Sequence, residues 1–209
     1  MQSAHQPRMV ASSKVIKVGP WGGRGGSPWD DGPHRGVRSI TVTWDRLLES
    51  MQVEYVDRSG RPVLGEKHGG GTRRSRSQKI ELDFPYEFLT GVSGCYGAAH
   101  GGSPPVVQSL TFATSRWTVH GPFGDAGAEG TPFSYPMEGG VVVGFTGRSG
   151  WHLDAVGLHV AALRPETLCY VVQERGLAAY RSFVHGSGGA RQPHGATHQN
   201  KKPFEWCYK

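Results

Sequence analysis

The chain has few cysteines and no long hydrophobic run. Cys95, Cys169 and Cys207 are its three cysteines, and none has the C-x-x-C spacing of metal or redox sites. No apolar run follows a basic amino-terminal segment, and none approaches transmembrane length. We therefore expect a cytoplasmic or nuclear protein with free thiols, without a signal peptide and without membrane insertion.

Hydrophobic residues are also scarce, at 36% of 209 residues, whereas glycine (32) and proline (14) are abundant. This composition approaches that of disordered chains. However, 8 Phe, 7 Tyr and 6 Trp lie among β-branched residues that can form a core. The balance predicts a loop-rich all-β domain.

Three regions differ in character along the chain. Residues 1–13 are polar and aperiodic, which predicts disorder. Residues 14–163 contain short β-type segments separated by Gly, Pro, Asp and Ser, as antiparallel sheets require. Residues 164–209 form a carboxy-terminal extension, for which we expect a short helix and then a flexible basic tail. The predicted strands are Lys14–Val18, Ser39–Trp44, Met51–Val56, Lys79–Phe84, Glu87–Ser93, Val106–Thr114, Trp117–His120, Val141–Thr146 and Val156–Ala161.

Glycine-rich segments suggest an internal repeat. Gly19–Gly22 and Gly121–Gly124 share a Gly-Pro-aromatic-Gly frame, and His68–Gly71 is a third glycine-rich segment. Three such turns between strands predict three hairpin units around a pseudo-threefold axis.

Catalytic, metal and nucleotide sites find little support. Asp45 and Glu49 could act as a glycosidase pair, but on a hairpin edge we interpret them as solvated charges. His185, His194 and His198 are interpreted as solvated rather than as metal ligands. No strand–glycine loop–helix unit is present. We therefore predict no enzyme activity, no metal and no cofactor.

Positive charge is concentrated in one loop. The formal net charge is +6, and Arg73, Arg74 and Arg76 lie within five residues of one another, flanked by glycine. Nucleic-acid binding is one interpretation of this loop. A solvated, arginine-rich hairpin end is the interpretation we favour.

Two distant segments have the composition of a sugar-binding site. Gly150–Asp154 (Gly-Trp-His-Leu-Asp) combines a carboxylate with exposed main-chain amides, and Gly22–Gly26 is nearly stripped of side chains. Fixed acceptors and donors of this kind suit adjacent hydroxyl groups.

These segments, taken in order with others, resemble the jacalin-related lectins of plants. The resemblance covers roughly residues 14–162. Its landmarks are Val18–Gly26, His68–Gly71, Tyr86–Leu89, Gly121–Gly124, Gly130–Phe133 and Val143–Gly157. It implies a β-prism of three four-stranded Greek-key sheets with pseudo-threefold symmetry.

The resemblance also implies a sugar site. Asp154 would accept hydrogen bonds from the sugar's 4-OH and 6-OH, and the N–H groups of Gly26, Trp151 and His152 would donate to its oxygens. Gly150 belongs to the same loop. Gly70, Gly71 and His100 would lie at the rim.

The implied specificity is for mannose- or glucose-containing glycans, because an equatorial 4-OH points toward the carboxylate. Some members carry a second site on a Gly-x-x-x-Asp loop, whereas Asp45–Glu49 replaces both key residues, so we predict no sugar there. The resemblance further implies a non-catalytic lectin with a role in plant stress or defence. The weak affinity expected for a single sugar favours a homo-oligomer that presents several sites together. The alternative hypothesis is a protein- or nucleic-acid-interaction module using Arg73–Arg76 and the tail.

Overall fold

A computed structural model describes residues 14–99, 103–125, 127, 129–136 and 139–163. These residues belong to one compact unit, which ends at Arg164. The predictions of disorder over residues 1–13 and of a helix and tail over residues 164–209 lie outside the described residues. None of the described residues forms a helix with the length and apolarity needed to span a bilayer.

The regular structure of the described residues consists of twelve β-strands. In chain order these are β1 (Val15–Gly22), β2 (Ser27–Asp30), β3 (Gly36–Trp44), β4 (Leu48–Val56), β5 (Pro62–Gly69), β6 (Arg76–Glu81), β7 (Leu89–Ala98), β8 (Pro105–Thr114), β9 (Val119–Gly124), β10 (Thr131–Pro136), β11 (Gly140–Ser149) and β12 (Leu153–Ala162).

The strands form three antiparallel sheets of four strands each. Sheet I has the order β1-β12-β11-β2, sheet II β5-β4-β3-β6 and sheet III β10-β7-β8-β9. In sheets II and III two central strands form a hairpin, the next strand in the chain extends it, and the fourth returns to the opposite edge, which is a Greek key. Sheet I has the same spatial arrangement, but its edge strands β1 and β2 come from the start of the domain and its central hairpin, β11 and β12, from the end. The all-β fold with pseudo-threefold symmetry is therefore confirmed. Strands β1, β5 and β9 occupy equivalent edges.

The core is shared by the three sheets. Fully buried side chains come from each of them, including Ile40, Leu110 and Phe145. Stacking of Trp21 on Phe133, with ring centroids 4.9 Å apart, joins sheet I to sheet III. The scattered aromatic residues thus supply the apolar surface that the composition required.

Three edge strands were missed by sequence pattern. They are β2, β5 and β10, which are short or mostly exposed and contain proline, a residue that weakens any strand prediction. Two predicted strands begin two residues later than expected, because β7 starts at Leu89 and β9 at Val119. Both also extend further, β7 to Ala98 and β9 to Gly124. The strand predicted over Lys79–Phe84 ends instead at Glu81.

The composition of the glycine-rich segments had suggested turns between strands, but this prediction is wrong. Gly19–Gly22 lies within β1 and Gly121–Gly124 within β9, while His68 and Gly69 end β5. The repeat itself is confirmed, because these strands are the three equivalent edges.

Candidate functional site

Asp154 lies at the start of β12, next to the hairpin that connects β11 to β12. The residue is only 8% exposed. Its Oδ2 atom is buried and receives no hydrogen bond within the described residues. A buried acceptor without a donor is costly and uncommon. A ligand hydroxyl would relieve that cost.

The glycine loop, residues 23–26 between β1 and β2, lies directly beside this carboxylate. A Cβ atom on Gly25 would lie 2.4 Å from Asp154 Oδ1, so a larger residue there would displace the carboxylate. A Cβ atom on Gly150 would lie 3.6 Å from Asp154 Oδ2 and 3.5 Å from Gly26 Cα. The structure therefore brings together Asp154, Gly26 and Gly150, as the sequence predicted.

Unused main-chain donors accompany the carboxylate. The N–H groups of Gly26, Trp151 and His152 have no hydrogen-bond acceptor among the described residues. The Gly150 N–H donates to the carbonyl oxygen of His152 at 3.1 Å and so fixes the turn that presents them. The Trp151 side chain is 63% exposed. We call five residues together the Asp154 corner: Gly26, Gly150, Trp151, His152 and Asp154.

Arg148 holds the two halves of the Asp154 corner together. Its Nε donates to the carbonyl oxygen of Gly25 at 2.8 Å, and its Nη2 to that of Gly26 at 2.7 Å. Charge-assisted bonds to two successive carbonyls fix the glycine loop against β11. Sequence reasoning missed this role. The available signal was a lone arginine one residue before the end of a glycine-flanked strand.

The residues predicted for the rim fall in different places. The Gly70 N–H donates to the carbonyl oxygen of Trp151 at 3.1 Å, so this glycine contacts the Asp154 corner. A Cβ atom on Gly71 would instead lie 3.6 Å from Glu49 Oε2. His100 lies outside the described residues.

A buried polar cluster joins the glycine loop to this rim. The Trp29 ring, in β2 just after the loop, stacks on His68 with centroids 3.8 Å apart. His68 Nε2 contacts Asp31 Oδ1 at 2.7 Å, and the Tyr55 hydroxyl donates to Asp31 Oδ2 at 2.5 Å. Burial and the neighbouring Asp31 carboxylate raise the pKa of Tyr55, which keeps it a neutral donor. The cluster anchors both β2 and β5.

The pseudo-threefold axis repeats the Asp154 position in the other two sheets. In each copy, a main-chain N–H from the end of the equivalent edge strand donates to the carbonyl oxygen of the residue at this position. The three bonds are Gly23 to Asp154 at 2.8 Å, Gly70 to Glu49 at 3.1 Å and Asp125 to Gln108 at 3.0 Å. Glu49 and Gln108 are thus the equivalents of Asp154, and each is 5% exposed.

At both equivalent positions the side chain forms a hydrogen bond within the protein. Glu49 Oε2 accepts a hydrogen bond from the Ser75 hydroxyl. The Gln108 Nε2 donates to the carbonyl oxygen of Ala98 at 3.2 Å. The prediction that Asp45 and Glu49 are both solvated is wrong for Glu49, because the pseudo-threefold packing buries it. Asp45 is exposed at the hairpin tip.

Comparison with known proteins gives a consistent picture. A family model described as a jacalin-like lectin domain matches residues 18–159. The chain is 45% identical over 153 residues to jacalin-related lectin 19 of Arabidopsis thaliana, covering 73% of this chain and 83% of that protein.

Two further relatives are named for their sugars. The solved structure of a mannose-binding lectin from champedak is 45% identical, covers 72% of this chain and 99% of its own, and superposes with a TM-score of 0.66. A galactose-specific lectin of Morus indica is 39% identical over 162 residues, covering 76% of this chain and 99% of its own.

Proposed function

Because this chain belongs to the jacalin-like lectin family, we propose that it is a lectin that binds mannose or glucose residues of glycans at the Asp154 corner. One observation carries the proposal. Among the described residues, a buried carboxylate oxygen without a donor lies beside three main-chain N–H groups without an acceptor. Adjacent sugar hydroxyls offer both donors and acceptors at that spacing.

Each group has a defined part in this proposal. Asp154 accepts from the 4-OH and 6-OH, while Trp151 and His152 donate to the ring and 6-position oxygens and Gly26 to the 3- or 4-oxygen. Four or five net bonds of about 1 kcal/mol each give roughly millimolar affinity for a single sugar. Useful binding then needs several sites presented together, which favours a homo-oligomer.

An equatorial 4-OH explains the preference for mannose and glucose over galactose. An axial 4-OH points away from Asp154 and would leave its buried oxygen unsatisfied. The relative from champedak is named for mannose, although the one from Morus indica is named for galactose. The glycine loop follows β1 without a break in the chain. The Gly26 nitrogen is therefore an ordinary main-chain N–H donor rather than a chain terminus.

Absence of catalysis is part of the same proposal. Hydrolysis of a glycosidic bond normally requires two carboxyl groups that flank it. The buried carboxylate of Glu49 is engaged by Ser75. A single carboxylate surrounded by main-chain donors suits binding rather than acid–base chemistry.

The proposal is tested by titrating the protein with methyl α-mannoside and methyl α-galactoside while following amide shifts by NMR. Gly26, Trp151 and His152 amides are expected to move with mannoside and much less with galactoside. Gly124 and Asp125, at the equivalent position in sheet III, serve as controls that should not move. Equal shifts at both places, or none at the Asp154 corner, would overturn the proposal.

A further inference from the structure

A loop rich in arginine begins at the edge of the Asp154 corner. We call residues 72–76 the basic loop; it contains Arg73, Arg74 and Arg76. Gly70, two residues before it, donates its N–H to the carbonyl oxygen of Trp151 at 3.1 Å. A Cβ atom on Gly70 would lie 3.5 Å from the Trp151 ring. The root of the basic loop is therefore in contact with the proposed sugar site.

The basic loop is held in one conformation by its own hydroxyl groups. The Ser75 hydroxyl donates to Glu49 Oε2 and accepts from the Thr72 N–H at 2.7 Å. The Thr72 hydroxyl accepts from the Arg74 N–H at 3.2 Å. The buried carboxylate equivalent to Asp154 thus anchors the loop. Ser75 donates to it as a sugar hydroxyl would to Asp154.

A further contact fixes the far end of the basic loop. The Arg76 guanidinium donates to the carbonyl oxygen of Asp45 at 3.3 Å and lies 5.5 Å from the centroid of the Trp44 ring. This is the distance of a cation–π interaction. Both ends of the loop are positioned, so the backbone that carries Arg73 and Arg74 is fixed beside the Asp154 corner before any ligand arrives.

Two exposed arginines of the basic loop have no carboxylate partner in the part of the chain that the structure describes. Arg73 and Arg74 are exposed and make no ion pair with the described residues, and neither does Lys67. The Lys67 ammonium lies 3.9 Å from the position of a Cβ atom on Gly71, so it joins the same surface. Lys17, by contrast, lies 2.6 Å from its carboxylate partner Asp30.

We propose that the basic loop extends the sugar site toward acidic glycans. A mannose or glucose residue would lie at the Asp154 corner, and a phosphate or carboxylate on a neighbouring residue would contact Arg73, Arg74 or Lys67. This inference rests on the proposed function. The guanidinium fork suits oxyanions of either kind.

The test uses isothermal titration of the full chain with three probes of one length. They are a neutral mannose disaccharide, the same disaccharide with phosphate on its second residue, and one with a uronate there. Both acidic probes should bind roughly 3- to 10-fold tighter than the neutral one at low salt. The advantage should shrink toward 0.5 M salt, because the contacts are exposed.

Variants separate the basic loop from the sugar site. Arg73→Gln with Arg74→Gln should remove the advantage of the acidic probes and leave the neutral affinity unchanged. Arg58→Gln with Arg61→Gln, in the turn at the opposite end of sheet II, removes the same charge and should leave the advantage intact. Ser75→Ala should reduce the advantage by freeing the loop from Glu49.

The outcomes are distinct. Equal binding of all three probes overturns this inference but keeps the proposed function, whereas failure of the neutral probe to bind overturns the proposed function. Tight binding of the acidic probes that persists in Asp154→Ala also overturns the inference. Binding of a single-stranded oligonucleotide that competes with the acidic probes in that variant would identify a nucleic-acid surface instead.

Discussion

The Asp154 corner and its equivalent at Glu49 share a backbone hydrogen bond but differ in whether the acidic side chain has a hydrogen-bond donor. In both, a main-chain N–H from the edge strand donates to the carbonyl oxygen of a buried acidic residue. At Glu49 the side chain accepts a hydrogen bond from Ser75, whereas the Asp154 Oδ2 has no donor in the described part of the chain. The fold provides the position three times. Under the proposed function, a neighbouring hydroxyl, or the lack of one, decides whether the carboxylate can take a ligand.

Removal of the Asp154 carboxylate should have the largest effect on mannose binding. Asp154→Ala should lower mannose affinity roughly a hundredfold or more, because two hydrogen bonds to a charged acceptor are lost. Titration calorimetry measures the loss. Asp45→Ala, an exposed acid at the equivalent hairpin of sheet II, is the matched control and should bind as the unaltered protein does. Mannose affinity that survives Asp154→Ala contradicts the assignment.

A second change is to fill the space beside the carboxylate. Gly25→Ala places a Cβ atom over Asp154 Oδ1, so we expect mannose affinity to fall between tenfold and a hundredfold. Gly25 is half-buried and the added Cβ atom displaces a buried carboxylate, so thermal stability should also fall, and binding is measured well below the unfolding temperature. Gly127→Ala, where the nearest heavy atom would be 3.7 Å away, is the control. Unchanged affinity in Gly25→Ala would argue that the sugar lies elsewhere.

A third change is to give sheet III the acidic residue it lacks. Gln108→Glu replaces a buried amide that donates to the Ala98 carbonyl and introduces a buried charge. We expect a loss of about 1–2 kcal/mol in the free energy of unfolding, measured by urea denaturation. Gln78→Glu, on an exposed face, should cost much less. Because a carboxylate alone lacks the free main-chain donors, no second mannose site is expected. A second site in the titration would show that the acid is sufficient.

The smallest expected effect is on stability and concerns Asp30 of sheet I, whose carboxylate has hydrogen-bond donors within the protein. Burial alone would raise the pKa of Asp30, yet bonds from Lys17 and His159 lower it from 3.8 to about 2. The charged form therefore stabilises the fold above pH 4, and that contribution is lost as the pH falls toward 2.

Asp30→Asn should accordingly lower the free energy of unfolding at pH 7 by about 1 kcal/mol, a figure reduced for solvent screening. The difference from the unaltered protein should close between pH 4 and pH 2. Denaturation curves over that range measure it. A difference that stays constant with pH would contradict the role assigned to Lys17 and His159.

Sequence patterns predicted the central strands because these depend on local chemistry. Composition indicated each half of the Asp154 corner, but the resemblance to a known family was needed to place the two distant halves together. Alternating β-branched residues identify β3 and β8, and glycine beside an acid identifies a loop with close main-chain approach. The edge strands β2, β5 and β10 were missed, since their residues are exposed and their pairing is imposed by neighbours. Arg148 and the Ser75–Glu49 bond were missed for a related reason: each depends on a partner brought near by the fold.

Sheet I is assembled from both ends of the domain, with β1 and β2 beside β11 and β12. The bonds from Arg148 to the glycine loop join residues 123 and 122 positions apart. A ribosome must therefore release nearly the whole domain before any binding competence can arise, whereas sheets II and III each come from one continuous stretch. Retention on immobilised mannose would accordingly report complete closure of the domain, and a chain lacking either pair of strands would pass through unretained.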